Sequence, residues 1–172
     1  EIITRSHINN ASELNWSFEN VKGYIASRPI SADFMRLFKD QASIKDIRYD
    51  VCVGKKRMNG KLPECRLRVS EIVLMLAECN YHLGNETGAR KWLDELRRNR
   101  LGSIPEDYDL SVEDSKIKVD ALGNPVSALL MNILNERRKE FFMEGDRWYE
   151  LKRNGCPEWW IINNGLKYTT KA

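Results

Sequence analysis

The stretch from Val69 to Arg100 restricts the fold more than any other part of the chain. Val69, Ile72, Val73, Leu76, Ala77, Asn80 and Leu83 recur at the spacing that aligns side chains along one face of a helix. Gly84 follows, where a helix end tolerates the left-handed region. Asn85 can cap a second helix, in which Ala89, Trp92, Leu93, Leu96 and Arg100 share a side. So short a connection forces the two helices to lie antiparallel. One such hairpin cannot bury its outer face alone, so a partner hairpin is expected.

Small residues belong where two helices cross closely. Leu76 and Ala77 early, Gly84 at the turn and Ala89 five residues on give the hairpin the look of a tetratricopeptide unit. The partner is expected further along. Asn124 and Pro125 make a helix start, Val126, Leu129, Leu130, Ile133, Leu134, Arg137 and Phe141 form its stripe, and Gly145 interrupts it before Asp146 caps Arg147 to Arg153. Between the pairs, Gly102 to Gly123 is a long polar connection of the kind that is functional or mobile.

The first fifty residues change pattern often. They read as a β-like piece at Ile2 to Thr4, a turn region at Asn9 to Ser12, a short helix capped by Ser31 over Phe34, Leu37 and Phe38, and a strand at Tyr49 to Val53. Lys55 to Pro63 is a basic, turn-rich connection. The expected fold is mostly α and a single domain over residues 1–172. Residues 1–64 form a loop-rich section and residues 65–172 hold tetratricopeptide-like helical pairs.

Charge excludes more than it identifies. With 28 Lys+Arg against 25 Asp+Glu, the net charge of +3 implies neither a nucleic-acid nor a membrane-surface partner. Cys52, Cys65, Cys79 and Cys156 show no C-x-x-C spacing and have only His7 and His82 as possible imidazole companions, so no metal site, cofactor or disulfide framework is expected. The chain starts Glu1-Ile2-Ile3, without initiator Met or signal-peptide pattern, and reads as a processed or excised piece.

Phosphate loops, G-x-G-x-x-G, H-E-x-x-H and G-x-S-x-G are all missing. Glu136, Glu140 and Glu144 share a helical face, and paired carboxylates do hydrolyse glycosides. Arg137, Lys139 and Arg147 lie within a turn, however, and make an ion-pair network the better reading, with no catalytic residue assigned. The basic clusters Arg97, Arg98, Arg100 and Arg137, Arg138, Lys139 carry interspersed acids and read as solvated or ion-paired helix surface. Sugar rings stack their C–H faces on aromatics while their hydroxyls seek amides, so Trp16, Phe18 and Tyr24 beside Asn15 and Asn20 suit a carbohydrate surface. Ordinary packing under loops uses the same aromatics. Trp159 and Trp160, after Pro157, are expected to pack against the helices.

Three blocks then carry a specific resemblance. Arg68 to Glu78, followed by Gly84 and Ala89, is the first, and Leu93-Asp94-Glu95-Leu96-Arg97-Arg98-Asn99-Arg100 is the second. The third is Ile133 to Arg153, which contains Glu136-Arg137-Arg138-Lys139-Glu140 and Glu144-Gly145-Asp146-Arg147. Together they resemble the C-terminal region of the SusD/RagB family, in that family's order and over about half the chain. Glu1-Ile2-Ile3 and Asp46-Ile47-Arg48 agree more loosely with its earlier strand and D-x-R signature. Asp94 and Glu150 depart from the family pattern, where Asn and Asp are usual, and leave the scaffold assignment intact.

The resemblance implies a SusD-like α-α superhelix and a surface-exposed outer-membrane lipoprotein of Bacteroidetes. Such a protein captures glycans or other nutrients without catalysis and passes them to a SusC-like, TonB-dependent transporter. The lipid anchor and earlier tetratricopeptide pairs are then expected in a part preceding this chain. Ligand contacts in such proteins come from variable loops, which makes Trp16, Tyr24 and Asn15 the candidate ligand-binding residues here. The alternative is a helical-repeat adaptor whose groove takes a peptide or partner helix.

Overall fold

The computed structural model describes residues 2–4, 11–54, 57, 67–114, 116–163 and 165–171, and within them the chain is mostly helical. Side chains of residues 2–4, 11–18, 159–163, 167, 168 and 170 lie outside that description.

The hairpin forms where its punctuation stands. Helix α4 (Val69–His82) ends at Leu83, and Gly84 takes φ 76°, a value that penalises any residue with a Cβ. Asn85 then caps α5 (Glu86–Arg98), its side chain accepting the Gly88 N–H at 3.0 Å. The buried face of α4 differs from the expected one. Ser70, Leu74, Ala77 and Glu78 are inside, while Val69, Ile72 and Leu83 are exposed at 48, 41 and 83%. Acidic side chains accompany this rotation: Glu71 and Glu78 turn toward arginines far along the chain, accepting from Arg137 and Arg153 at 3.3 Å each.

Helix α6 (Ala128–Glu140) starts later than Asn124-Pro125. Ser127 caps it, accepting from the Leu130 N–H, because Asp120 already holds Asn124 in a turn through backbone N–H groups at 2.8 Å. The helix is buried almost all round, including Asn132, Asn135, Glu136 and Lys139, so the rest of the fold is built about it. Gly145, at φ 86°, turns the chain into α7 (Asp146–Arg153), and the Asp146 carboxylate faces Arg137 instead of capping.

The connection at 102–123 is fastened to α6. Leu110 and Ile117 are buried, Asn132 Oδ1 accepts the Leu110 N–H at 2.7 Å, and Asn135 Nδ2 donates to the carbonyls of Leu110 and Val112.

Helix α1 (Ala11–Ser27) runs 17 residues through a stretch whose sequence reads as turns and loop. The signal was present: Leu14, Phe18, Val21 and Ile25 keep helical spacing, and no proline intervenes before Pro29. A short helix α2 (Ala32–Met35) follows with Ser31 as its cap, as expected. Tyr49 to Val53, expected as a strand, is instead the one-turn helix α3 (Tyr49–Cys52). Alternation makes a strand only where another strand can pair with it. Here the N–H groups of Cys52 and Val53 find the carbonyls of Arg48 and Tyr49.

Strands β1 (Ile2–Thr4) and β2 (Leu67–Arg68) pair antiparallel. A second antiparallel pair, β3 (Glu158–Asn163) with β4 (Leu166–Lys171), follows Pro157. It places the backbone of Trp159 and Trp160 in a hairpin strand; the expected packing of their side chains lies outside the described residues. One apolar cluster joins Ile25, Phe34, Leu37, Phe38 and Cys52 to Leu110 and Phe142. A second holds the hairpin on α6 through Leu74, Ala89, Leu93, Leu129 and Ile133.

Candidate functional site

Trp16, Tyr24 and Asn15 sit on α1 and not in a loop. Trp16, Asn20 and Tyr24 are four residues apart, so a helix sets them in one row along its surface, about 12 Å from end to end at 1.5 Å per residue. Asn15 is adjacent by a single step. Tyr24 is 60% exposed, and the Arg28 guanidinium lies 4.5 Å from its ring centroid. Asn20 is exposed in the same row. The side chains of Asn15, Trp16 and Phe18 lie outside the described residues. What the fold contributes is a straight backbone beneath these positions, anchored where Ile25 enters the core.

The carboxylate ladder of α6 faces inward. Glu136 is fully buried: Oε2 accepts from Arg48 at 2.8 Å and faces Lys139 Nζ at 3.3 Å, and Oε1 accepts from Arg97 at 3.2 Å. Glu140 accepts both nitrogens of Arg100, at 3.0 and 2.9 Å, and Arg68 at 3.0 Å. Asp46 closes the cluster, receiving Arg48 at 2.8 and 2.7 Å and Lys139 at 3.0 Å. Burial pushes the Glu136 carboxyl up, but Lys139, Arg48 and Arg97 outweigh it and hold the group far below the ordinary range. Glu140, under the same contest with Arg100, Arg48 and Arg68, is held at about 2. A glycosidase acid needs a raised value and an open path to the sugar. Glu136 and Glu140 have neither, and they serve as the ionic centre that ties α6 to Arg48, Arg68, Arg97 and Arg100.

The expected ion-pair network therefore exists, with different partners and depth. Arg137 goes to Asp146 and Glu71, and Arg147 to Asp114 and Glu150, while Arg97, Arg137 and Lys139 are buried instead of solvated. Helical spacing supplies the Glu136–Lys139 contact; the bonds to Arg48, Arg68 and Arg100 come from far along the chain. Among the described residues no group of three or more His, Cys, Asp or Glu side chains is placed to hold a metal ion. Replacing Arg147 by Ala should lower stability by about 1–3 kcal/mol, because it removes bonds to two buried carboxylates. An unchanged melting temperature would contradict this assignment.

The model of the SusD family matches residues 8–171. No curated protein and no solved structure matches the chain.

Proposed function

We propose, from the premise that the chain belongs to the SusD family, that it captures a glycan without cleaving it and delivers it to a SusC-like, TonB-dependent outer-membrane transporter. The family implies nutrient or glycan binding at the cell surface, and its members are generally non-catalytic. The match over residues 8–171 is the observation that carries the reading. Two features support it: the row of Trp16, Asn20 and Tyr24 on α1 suits stacking along a chain of sugar rings, and the acidic ladder is consumed by ion pairs. No described helix is long and apolar enough to cross a membrane. In this reading attachment to the outer membrane comes from a lipid anchor in a preceding part of the protein.

A glycan-panel thermal shift tests the site. A sugar supplied at about a hundred times its Kd should raise the melting temperature by about 5–10 °C. Trp16→Ala and Tyr24→Ala should each weaken that sugar about tenfold, and Asn15→Ala by less. Binding that all three variants leave unchanged would remove α1 as the site. A peptide that stabilises the chain where no sugar does would favour the adaptor.

A further inference from the structure

Helix α4 is apolar on two opposite sides, and only one of them is covered. Leu74 and Ala77 pack with residues of α5 and α6, whereas Val69, Ile72, Met75, Cys79 and Leu83 are exposed on the other side, with Leu76 half-buried among them. Alternating steps of three and four residues lead from Val69 through Ile72, Leu76 and Cys79 to Leu83, the spacing of a seam that packs against another helix. The two acids of α4, Glu71 and Glu78, turn away from this seam to Arg137 and Arg153. The neighbouring helix α5 differs, since Glu86, Arg90, Lys91 and Arg98 stand on its exposed surface. A helix that is apolar all round belongs under a covering element, and α4 lacks one on its outer side.

The two ends of the seam have complementary shapes. Leu83, at the C-terminal end, is 83% exposed just before the Gly84 turn. At the N-terminal end a socket of about 350 Å³ opens between α4 and α5, walled by Val69, Val73 and Leu96 with Asn99 at its edge. Leu83 lies fourteen residues beyond Val69, about 21 Å along the axis. A second copy laid antiparallel, about a two-fold axis near Leu76, therefore brings each Leu83 to the socket of the other copy. Knob and socket on one patch are what a two-fold interface requires, because both contacts then form together. The seam carries no charge, so a second copy covers it without stranding one, and antiparallel α4 dipoles attract. A sugar or a charged peptide would find no polar side chain to bond along Ile72, Met75, Leu76 and Leu83.

We propose that the outer face of α4 is a self-association surface, on which a second copy of the chain packs its own α4 antiparallel and each Leu83 enters the socket at Val69, Val73 and Leu96 of the other. A strip about 21 Å long and one helix wide, with its socket, buries on the order of 500 Å² per copy. The total of about 1,000 Å² lies below the standard interface size, so the pair is a weak, reversible one with a Kd of about 10–100 μM. The seam is on α4 and the candidate sugar row is on α1, so the paired form carries two such rows.

Sedimentation velocity across a concentration series tests this on the natural chain and on Ile72→Glu and Leu83→Glu, each checked for folding by far-UV circular dichroism. The mass of the natural chain should rise from one copy toward two with increasing concentration. Either Glu variant should weaken the pairing by about tenfold or more, because it places an unpaired carboxylate in an apolar contact. Disulfide trapping reads the orientation, in a background with Cys65, Cys79 and Cys156 changed to Ser. Leu76→Cys should link two copies on mild oxidation, since the axis sets position 76 against itself. Leu83→Cys should not, its two thiols lying about 21 Å apart. A single copy's mass at every concentration would overturn the proposal and leave the face to another occupant, such as a preceding helical pair. Pairing that both Glu variants leave unchanged, or a link through Leu83→Cys in place of Leu76→Cys, would also overturn it.

Discussion

Glu136→Ala should remove about a third or more of the stability of the fold. The substitution strips the common partner from Arg48, Arg97 and Lys139, whose side chains are 7, 7 and 0% exposed. Breaking a buried ion cluster by removing one member costs about 3–5 kcal/mol, because the remaining charges stay out of water uncompensated. Domains of this kind are stable by only about 5–15 kcal/mol in total. Urea denaturation followed by circular dichroism should show the midpoint falling by a third or more, or no cooperative transition. A midpoint within experimental error of the natural chain would refute the ionic centre. Acid should act in the same direction. Glu136 and Glu140 are depressed in the folded state, so the stability they confer is fully present above about pH 4.5, the ordinary value. It is lost as pH falls from there through about 2, where Glu140 itself titrates.

Phe142→Ala should cost about 3–5 kcal/mol and loosen the N-terminal segment together with the helices. Its ring stacks on Phe34 with centroids 4.7 Å apart and planes at 25°, within the cluster that Ile25, Leu37, Phe38 and Leu110 complete. That cluster is where α1 and α2 meet the helical part, so residues 1–172 are expected to unfold as one unit. Hydrogen exchange can read both sides: amides of Ile25 to Phe38 and those of α6 should lose protection in parallel. Protection in α6 that survives while the N-terminal segment exchanges freely would mean that the chain unfolds in two units.

How much of this was legible beforehand depended on the range of the interaction. Gly84, Asn85, Ser31 and Gly145 act within a turn of the backbone, and their roles can be read directly from residue type. The three blocks that resemble SusD/RagB proteins identified the family, which residues 8–171 match. Tyr49 to Val53 was misleading because alternation is a local pattern and a strand needs a distant partner. Helix α1 was readable in Leu14, Phe18, Val21 and Ile25, but its polar and aromatic neighbours drew attention to chemistry instead. The stacking of Phe142 on Phe34 had no signal along the chain, since the two rings come from separate segments.

The sequence by itself determined the helical hairpin, the presence of helix on either side of Gly145, the family and the ion-pairing character of the Glu136 to Glu144 ladder. Tertiary structure alone decided which partners those carboxylates take, and that α4 turns Glu71 and Glu78 toward arginines while Val69 and Ile72 face outward. Glu140 meets Arg48, Arg68 and Arg100 across sequence separations of 92, 72 and 40 residues. Helical periodicity extends over a few turns and cannot register such distances. Coulomb attraction and desolvation depend on separation in space and on burial, which exist only once the elements have packed.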